Sequence, residues 1–191
     1  EEVNEEELSN FSANIEYDVG AKNKKITNWE DEHYMAQGFI FFGAGFETTN
    51  VLLQVSTYFL AKNKDVQQEL INEVDEVVAT LDGKSVSYEA LHKMKFLDNV
   101  ISEALRWWPP VFATQRQCNK DIDLKYDGRV LRIKDGDLIT LPVYDIHHDE
   151  RYYSDPERFD PHRFDDDRKE SIIQGSYLPF GIGPRVCIGS R

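Results

Sequence analysis

The chain has 191 residues, 40% hydrophobic and 12% aromatic, enough for one ordinary domain core. A formal net charge of −13 argues against nucleic-acid binding, which needs a basic face to meet phosphates. Two cysteines in this length exclude a disulfide scaffold and fit a reducing compartment.

Residues 1–28 are polar, open on Glu1, Glu2, Glu5, Glu6 and Glu7, and read as an acidic surface connection. Thr27-x-x-Glu30 is a capping box, and the helix it opens is expected from about Glu30 to Leu60. Met35, Phe39, Ile40, Phe41, Phe42 and Phe46 make its middle apolar nearly all round, which predicts a buried helix. The apolar run from Gly38 to Phe46 is far shorter than the roughly 20 residues of a membrane span. A second helix is expected over about Asp65 to Thr80, with Val66, Leu70, Val74 and Val77 at helical spacing. Asp82-Gly83 ends it, and Ser87 can cap a short turn holding Leu91. A third helix, from about Phe96 to Trp107, is stopped by Pro109-Pro110.

Beyond the double proline the texture changes. Ile122–Leu124, Arg129–Ile133 and Leu138–Leu141 read as short strands, punctuated by Asp127-Gly128 and Asp135-Gly136. Residues 145–174 lack periodicity, yet Tyr152, Tyr153, Phe159 and Phe164 suit a packed meander. There is no starting Met, and the chain stops four residues after Cys187, so it reads as an internal fragment, incomplete at both ends. Residues 29–191 are expected to form part of a single domain, mainly α with a small β portion.

Three places carry chemistry. The first is Phe180-Gly-Ile-Gly-Pro-Arg185-Val-Cys187-Ile-Gly189. Glycines let a backbone approach a flat ligand, and Arg185 supplies a cation two residues from the sulfur. Such a loop can present one thiolate to a metal while its N–H groups point at the sulfur. A buried inert thiol is the competing reading. A dinucleotide loop is excluded because Val186 stands where the third glycine belongs, and a zinc site because Cys118 is the one other cysteine and no Cys-x-x-Cys exists. The second place is Ala44-Gly45-Phe46-Glu47-Thr48-Thr49, an acid–alcohol pair inside the apolar helix. It is either a packing notch with a snorkelling Glu or a groove where a ligand lies against the helix. The third is Glu103-x-x-Arg106, an i, i+3 pair that in isolation reads as a surface ion pair. His33, His92, His147, His148 and His162 show no metal spacing and read as structural or solvated.

The loop resembles the haem-binding signature of the cytochrome P-450 family, Phe-x-x-Gly-x-Arg-x-Cys-x-Gly, at Phe180, Gly183, Arg185, Cys187 and Gly189. The helix segment resembles the family's oxygen-activation motif, and Glu103 with Arg106 its Glu-x-x-Arg helix. Phe159-Asp160-Pro161-His162-Arg163-Phe164 fits the family's Phe-x-Pro-x-Arg-Phe frame, with His162 in place of the commoner Glu. The match runs from Trp29 to Gly189 in the family's order and looks most like insect microsomal members that oxidise foreign compounds.

The resemblance implies a fold fragment with a long central helix, a Glu-x-x-Arg helix, short β pieces, a meander and a haem-ligand loop. It implies haem b (iron protoporphyrin IX) with Cys187 as axial thiolate to the iron. Arg185 and Arg116 would meet propionates, and Phe180, Gly181 and Gly189 would line the cofactor. Thr48 would hydrogen-bond dioxygen and join Glu47 in proton delivery. Glu103, Arg106 and Arg163 would form a buried triad, with Arg163 chosen over Arg158. Ala44, Val111, Phe112 and Ala113 would face substrate. The implied reaction is monooxygenation of a lipophilic xenobiotic or endogenous lipid with O2 and NADPH-derived electrons. These would arrive through a flavoprotein NADPH-cytochrome reductase, with cytochrome b5 as an optional further donor. The implied place is the cytoplasmic face of the endoplasmic reticulum membrane, held by an N-terminal anchor outside this chain. The rival readings are a haem-thiolate isomerase or dehydratase, a non-catalytic haem-binding protein, and an inactive fragment.

Overall fold

The computed structural model describes residues 29–190. The acidic connection over residues 1–28, including Thr27 of the capping box, lies outside the described residues. Helix α1, Asp31–Lys62, is followed by α2, Lys64–Ala79, the short α3, Tyr88–Leu91, and α4, Lys95–Trp107. Four strands come next: β1, Thr114–Gln117; β2, Ile122–Tyr126; β3, Arg129–Ile133; and β4, Leu138–Leu141. The meander holds α5, Val143–His147, a 3-10 turn at Pro161–Phe164 and α6, Asp166–Lys169, and a second 3-10 turn spans Gly183–Arg185. The chain is mainly helical with a few short strands. No helix among the described residues is long and apolar enough to cross a membrane.

The described residues fall into two compact units, residues 29–47 with 180–190 and residues 48–179. The boundary lies inside α1, between Glu47 and Thr48.

In the larger unit the core forms where α2 and α4 meet the end of α1 and the meander. Val66 and Leu70 on α2, Phe96, Val100 and Ala104 on α4, Phe59 on α1 and Phe159 on the meander are all buried together. The rings of Phe59 and Phe159 stack 4.6 Å apart and nearly parallel, and Trp107 lies 4.7 Å from Phe59. Such ring pairs add about 0.5–1.5 kcal/mol beyond the area they bury. Local capping fits the same plan. Ser87 Oγ accepts the Ala90 N–H at 3.2 Å, which starts α3. The start of α4 is capped from a distance: Glu73 on α2 accepts the Phe96 and Leu97 N–H groups at 2.8 and 2.9 Å. Those are two of the four donors a helix start leaves without partners.

The strands form two antiparallel pairs, β1 with β4 and β2 with β3. Asp127 and Gly128, both with positive φ, make the two-residue turn between β2 and β3, whose twist suits a hairpin. Strand β1 was not foreseen, because Thr-Gln-Arg-Gln carries no alternation and its partner lies 24 residues on, at Leu138 to Leu141.

One expectation fails plainly. The apolar middle of α1 is not buried: Met35, Phe39, Ile40, Phe41, Phe42 and Phe46 are all more than half exposed. Hydrophobicity states that a surface needs covering, not that the described residues of this unit cover it.

Candidate functional site: a glycine-held thiol and a buried ionic clamp

The loop at 180–189 is shaped by its glycines. Gly181 and Gly183 both sit at φ +74°, a left-handed conformation that side-chain-bearing residues rarely adopt. Gly183–Arg185 is a 3-10 turn with Pro184 inside it, closed by the Val186 N–H donating to the Gly183 carbonyl at 3.0 Å. The Cys187 N–H then donates back to the Phe180 carbonyl at 2.9 Å, and the Ser190 N–H to the Cys187 carbonyl at 3.3 Å. The thiol of Cys187 is free and exposed, against the buried inert reading. A Cβ built on Gly189 would stand 3.8 Å from its sulfur, so glycine keeps that side of the sulfur open. Arg185 is exposed on the same loop.

This donor set fits a porphyrin iron, whose four equatorial positions come from the macrocycle and which asks the protein for one soft anionic ligand. Among the described residues no group of three or more His, Cys, Asp or Glu is placed to hold a bare metal ion.

The acid–alcohol pair lies on α1 with Glu47 and Thr48 both exposed. A Cβ added at Gly43 or Gly45 meets nothing within 4 Å, so this stretch of the helix beside Ala44 stands open.

Glu103 and Arg106 are the reverse case. The i, i+3 pair is wholly enclosed, with side chains 0% exposed, rather than at the surface. Arg106 grips Glu103 in bidentate fashion, Nε to Oε2 at 2.7 Å and Nη2 to Oε1 at 2.8 Å. Its remaining donors reach the meander: Nη1 to the His147 carbonyl at 2.9 Å, and Nη2 to the Pro156 carbonyl at 2.9 Å and the Arg158 carbonyl at 3.3 Å. Glu103 Oε1 also accepts the Asp160 N–H at 2.9 Å. A charged pair survives burial when such bonds occupy its donors and lone pairs. Tyr153 places its ring 5.3 Å from the guanidinium.

Arg163 is the second arginine at this carboxylate. Its Nε lies 3.5 Å from Glu103 Oε1 and makes no hydrogen bond, while Nη1 and Nη2 donate to the Ser154 and Asp155 carbonyls at 2.5 and 2.6 Å. The side chain of Arg158 is exposed; it contributes its backbone carbonyl. His162, which departs from the commoner Glu, bridges Asp165 through Nδ1 at 2.9 Å and Glu69 through Nε2 at 3.3 Å. Partial burial pulls its pKa down, and the Asp165 and Glu69 carboxylates outweigh this, so the net shift is upward.

Of the two readings left open for His147, structural or solvated, the structure shows the structural one. It is fully buried, with Nδ1 3.1 Å from the Arg106 carbonyl and Nε2 2.8 Å from the Leu178 nitrogen. Burial pushes its pKa down to about 4, with the Arg106 and His148 charges adding to the shift and the Arg106 carbonyl opposing it. One histidine of the His147-His148 pair, in a segment without periodicity, gives no signal of these partners. The remaining expected site residues lie at the surface of the larger unit. Arg116 is exposed on β1 and donates to its neighbour Gln115's carbonyl, and Val111, Phe112 and Ala113 are exposed ahead of that strand.

Comparison with known proteins agrees with this architecture. Residues 3–191 match the family model described as "Cytochrome P450". The chain is 48% identical over 170 residues to "Probable cytochrome P450 9f2" of Drosophila melanogaster, covering 89% of this chain and 33% of that protein. It is 46% identical over 175 residues to "Cytochrome P450 9e2" of Blattella germanica, covering 90% and 32%. It is 44% identical over 173 residues to "Cytochrome P450 9b2" of Drosophila melanogaster, covering 90% and 34%. The chain thus spans about a third of the length of these relatives. A match along nearly all its residues, over a glycine-held thiol and an enclosed Glu-x-x-Arg pair, means that the chain belongs to the cytochrome P450 family.

Proposed function

We propose that this chain carries the haem-ligand portion of a haem-thiolate monooxygenase acting on a lipophilic small molecule, xenobiotic or endogenous lipid. The observation that carries the reading is the Cys187 loop: one exposed thiol, with glycines at φ +74° and Arg185 ahead of it and Gly189 after it in the family's order. Members of the family use haem b, with dioxygen and NADPH-derived electrons. When bound, the haem supplies the redox chemistry that activates dioxygen. One oxygen atom enters a C–H bond of the substrate, and the other leaves as water with two protons and two electrons.

The chain's own residues have separate tasks. Cys187 would hold the haem iron through its thiolate, Arg185 and Arg116 would take the propionates, and Phe180, Gly181 and Gly189 would line the cofactor. Thr48 holds a proton at its hydroxyl, and Glu47 exchanges it with solvent. Ala44, Val111, Phe112 and Ala113 face the substrate. Glu103, Arg106 and Arg163 hold the meander to α4. The electron donor is a flavoprotein NADPH-cytochrome reductase, with cytochrome b5 as an optional second donor. The site of action is the cytoplasmic face of the endoplasmic reticulum, through an anchor outside this chain.

Thr48→Ala in the full-length protein tests the reading. Product formed per NADPH consumed should fall and peroxide should rise, with haem content unchanged, since Thr48 is not a ligand. A positioned proton donor contributes typically about 10²–10⁴-fold, and bound water can replace part of that. Turnover that needs no NADPH, or unchanged coupling with an intact spectrum, would refute the monooxygenase assignment in favour of an isomerase or dehydratase.

A further inference from the structure

His162 stands where three elements of the larger unit meet. Its ring lies between two carboxylates: Nδ1 is 2.9 Å from Asp165 Oδ2 on the meander, and Nε2 is 3.3 Å from Glu69 Oε2 on α2. Phe96 of α4 lies beside it, with ring centroids 5.2 Å apart. Asp165 is oriented for this contact, because its other oxygen accepts from Asn99 Nδ2 on α4 at 2.7 Å.

The two acceptors decide which form of the ring fits. An ionised carboxylate can only accept, and a neutral imidazole has one N–H to give. The neutral ring therefore serves either Asp165 or Glu69 and turns a nitrogen lone pair toward the other. Only the imidazolium donates to both. Glu69 and His162 are 93 residues apart in sequence, so that bond ties two elements together and is not a local turn contact. A glutamate at this position, the family's commoner residue, would instead set a third carboxylate beside these two.

The tie borders the ionic clamp. Arg163 follows His162 in the same 3-10 turn, and its Nε lies 3.5 Å from Glu103 Oε1. Phe164 ends the turn and is buried. The backbone of the turn is also held by Asp160, whose Oδ1 accepts the His162 N–H at 3.2 Å.

We propose that His162 is a proton-operated latch: as imidazolium it ties α2 to the turn that carries Arg163, and release of one proton opens one of its two ties. The charged and titratable groups around the ring are Glu69 on α2 and Asp165 and Asp160 on the meander. Asp160 also faces Arg168 at 3.6 Å. Glu73, one turn further along α2, is occupied by the Phe96 and Leu97 N–H groups, and Lys95 at the start of α4 by Asp166 at 2.6 Å. Partial burial lowers the ring's pKa, and the bonds and charges of Asp165 and Glu69 outweigh it, so the folded value lies above the ordinary 6.5. The folded state then holds this proton more tightly than the unfolded chain does. The latch's contribution is complete below pH 6.5 and is lost as pH rises through the folded value.

His162→Gln in the full-length protein tests the latch. Glutamine is uncharged and its one NH2 group reaches one carboxylate at a time, as the neutral ring does. In urea titrations the unfolding equilibrium constant of the unmodified protein should be about two- to fivefold smaller than that of His162→Gln at about pH 6, the size expected of half-exposed ion pairs. The difference should shrink toward nothing by about pH 9. His147 is common to both proteins and cancels from the comparison. No difference at the lower pH, or one that stays constant or grows toward the higher pH, would overturn the proposal. If His162→Gln does not fold, the ring-nitrogen shifts of His162 decide. A titration midpoint above 6.5 that falls in Glu69→Gln supports the latch. A midpoint at or below 6.5, or one that Glu69→Gln does not move, overturns it.

Discussion

The three arginines around Glu103 make different contacts, so alanine substitutions in the full-length protein should rank in a definite order. Arg106→Ala removes the bidentate partner of a carboxylate that is 0% exposed. Glu103 would keep only the Asp160 N–H and Arg163 at 3.5 Å, and the His147 and Pro156 carbonyls would lose their donor. Leaving one member of a buried pair behind costs about 3–5 kcal/mol. Arg163→Ala leaves the Glu103–Arg106 fork intact and removes the charged hydrogen bonds to the Ser154, Asp155 and Arg158 carbonyls together with the ion pair to Glu103 at 3.5 Å. Ser154 and Asp155 are exposed, so water can replace part of these bonds, and a cost of about 2–3 kcal/mol is expected. Arg158→Ala keeps the backbone carbonyl that Arg106 uses and removes only an exposed side chain, so the change should stay within about 0.5 kcal/mol. Holoprotein yield and the urea midpoint of the three variants measure this order. If Arg158→Ala matches Arg163→Ala, or if Arg106→Ala is the mildest, the reasoning about this clamp is wrong.

Two further outcomes follow from the same contacts. The folded-state pKa of His147, about 4, lies below its ordinary value of 6.5, so the unfolded chain binds more protons between those values. Stability should be fully present above pH 6.5 and fall by up to about 3 kcal/mol as pH drops toward 4, a slope that His147→Gln should flatten in pH-dependent urea titrations. Glu73→Gln should cost about 1 kcal/mol of thermal or urea stability by weakening the cap on Phe96 and Leu97, and an unchanged midpoint would mean that this cap adds nothing.

Local chemistry explains which features were legible in the sequence. Helix α4 ends at Trp107 because Pro109 and Pro110 follow, and the Cys187 loop turns left-handed at Gly181 and Gly183, where glycines announce it. Arg163 was singled out by the resemblance of Phe159 to Phe164 to the family's frame rather than by local chemistry, and it stands beside Glu103. What stayed hidden depends on partners distant in sequence. Strand β1 exists through its pairing with β4, the cap on α4 comes from Glu73, and His147 matters because α4 and Leu178 close around it. The exposed apolar middle of α1 marks another boundary of this kind, since an all-round apolar sequence reports a surface that needs covering without reporting what lies against it.

The central claim is that Cys187 is the axial ligand of a haem iron, and the reduced carbon monoxide complex of the full-length protein tests it most directly. No other side chain of the 180–189 loop can supply a soft anionic donor. The unmodified protein should give the red-shifted Soret band of a thiolate-bound iron, and Cys187→Ser should lose it. A band that persists in Cys187→Ser would contradict the account.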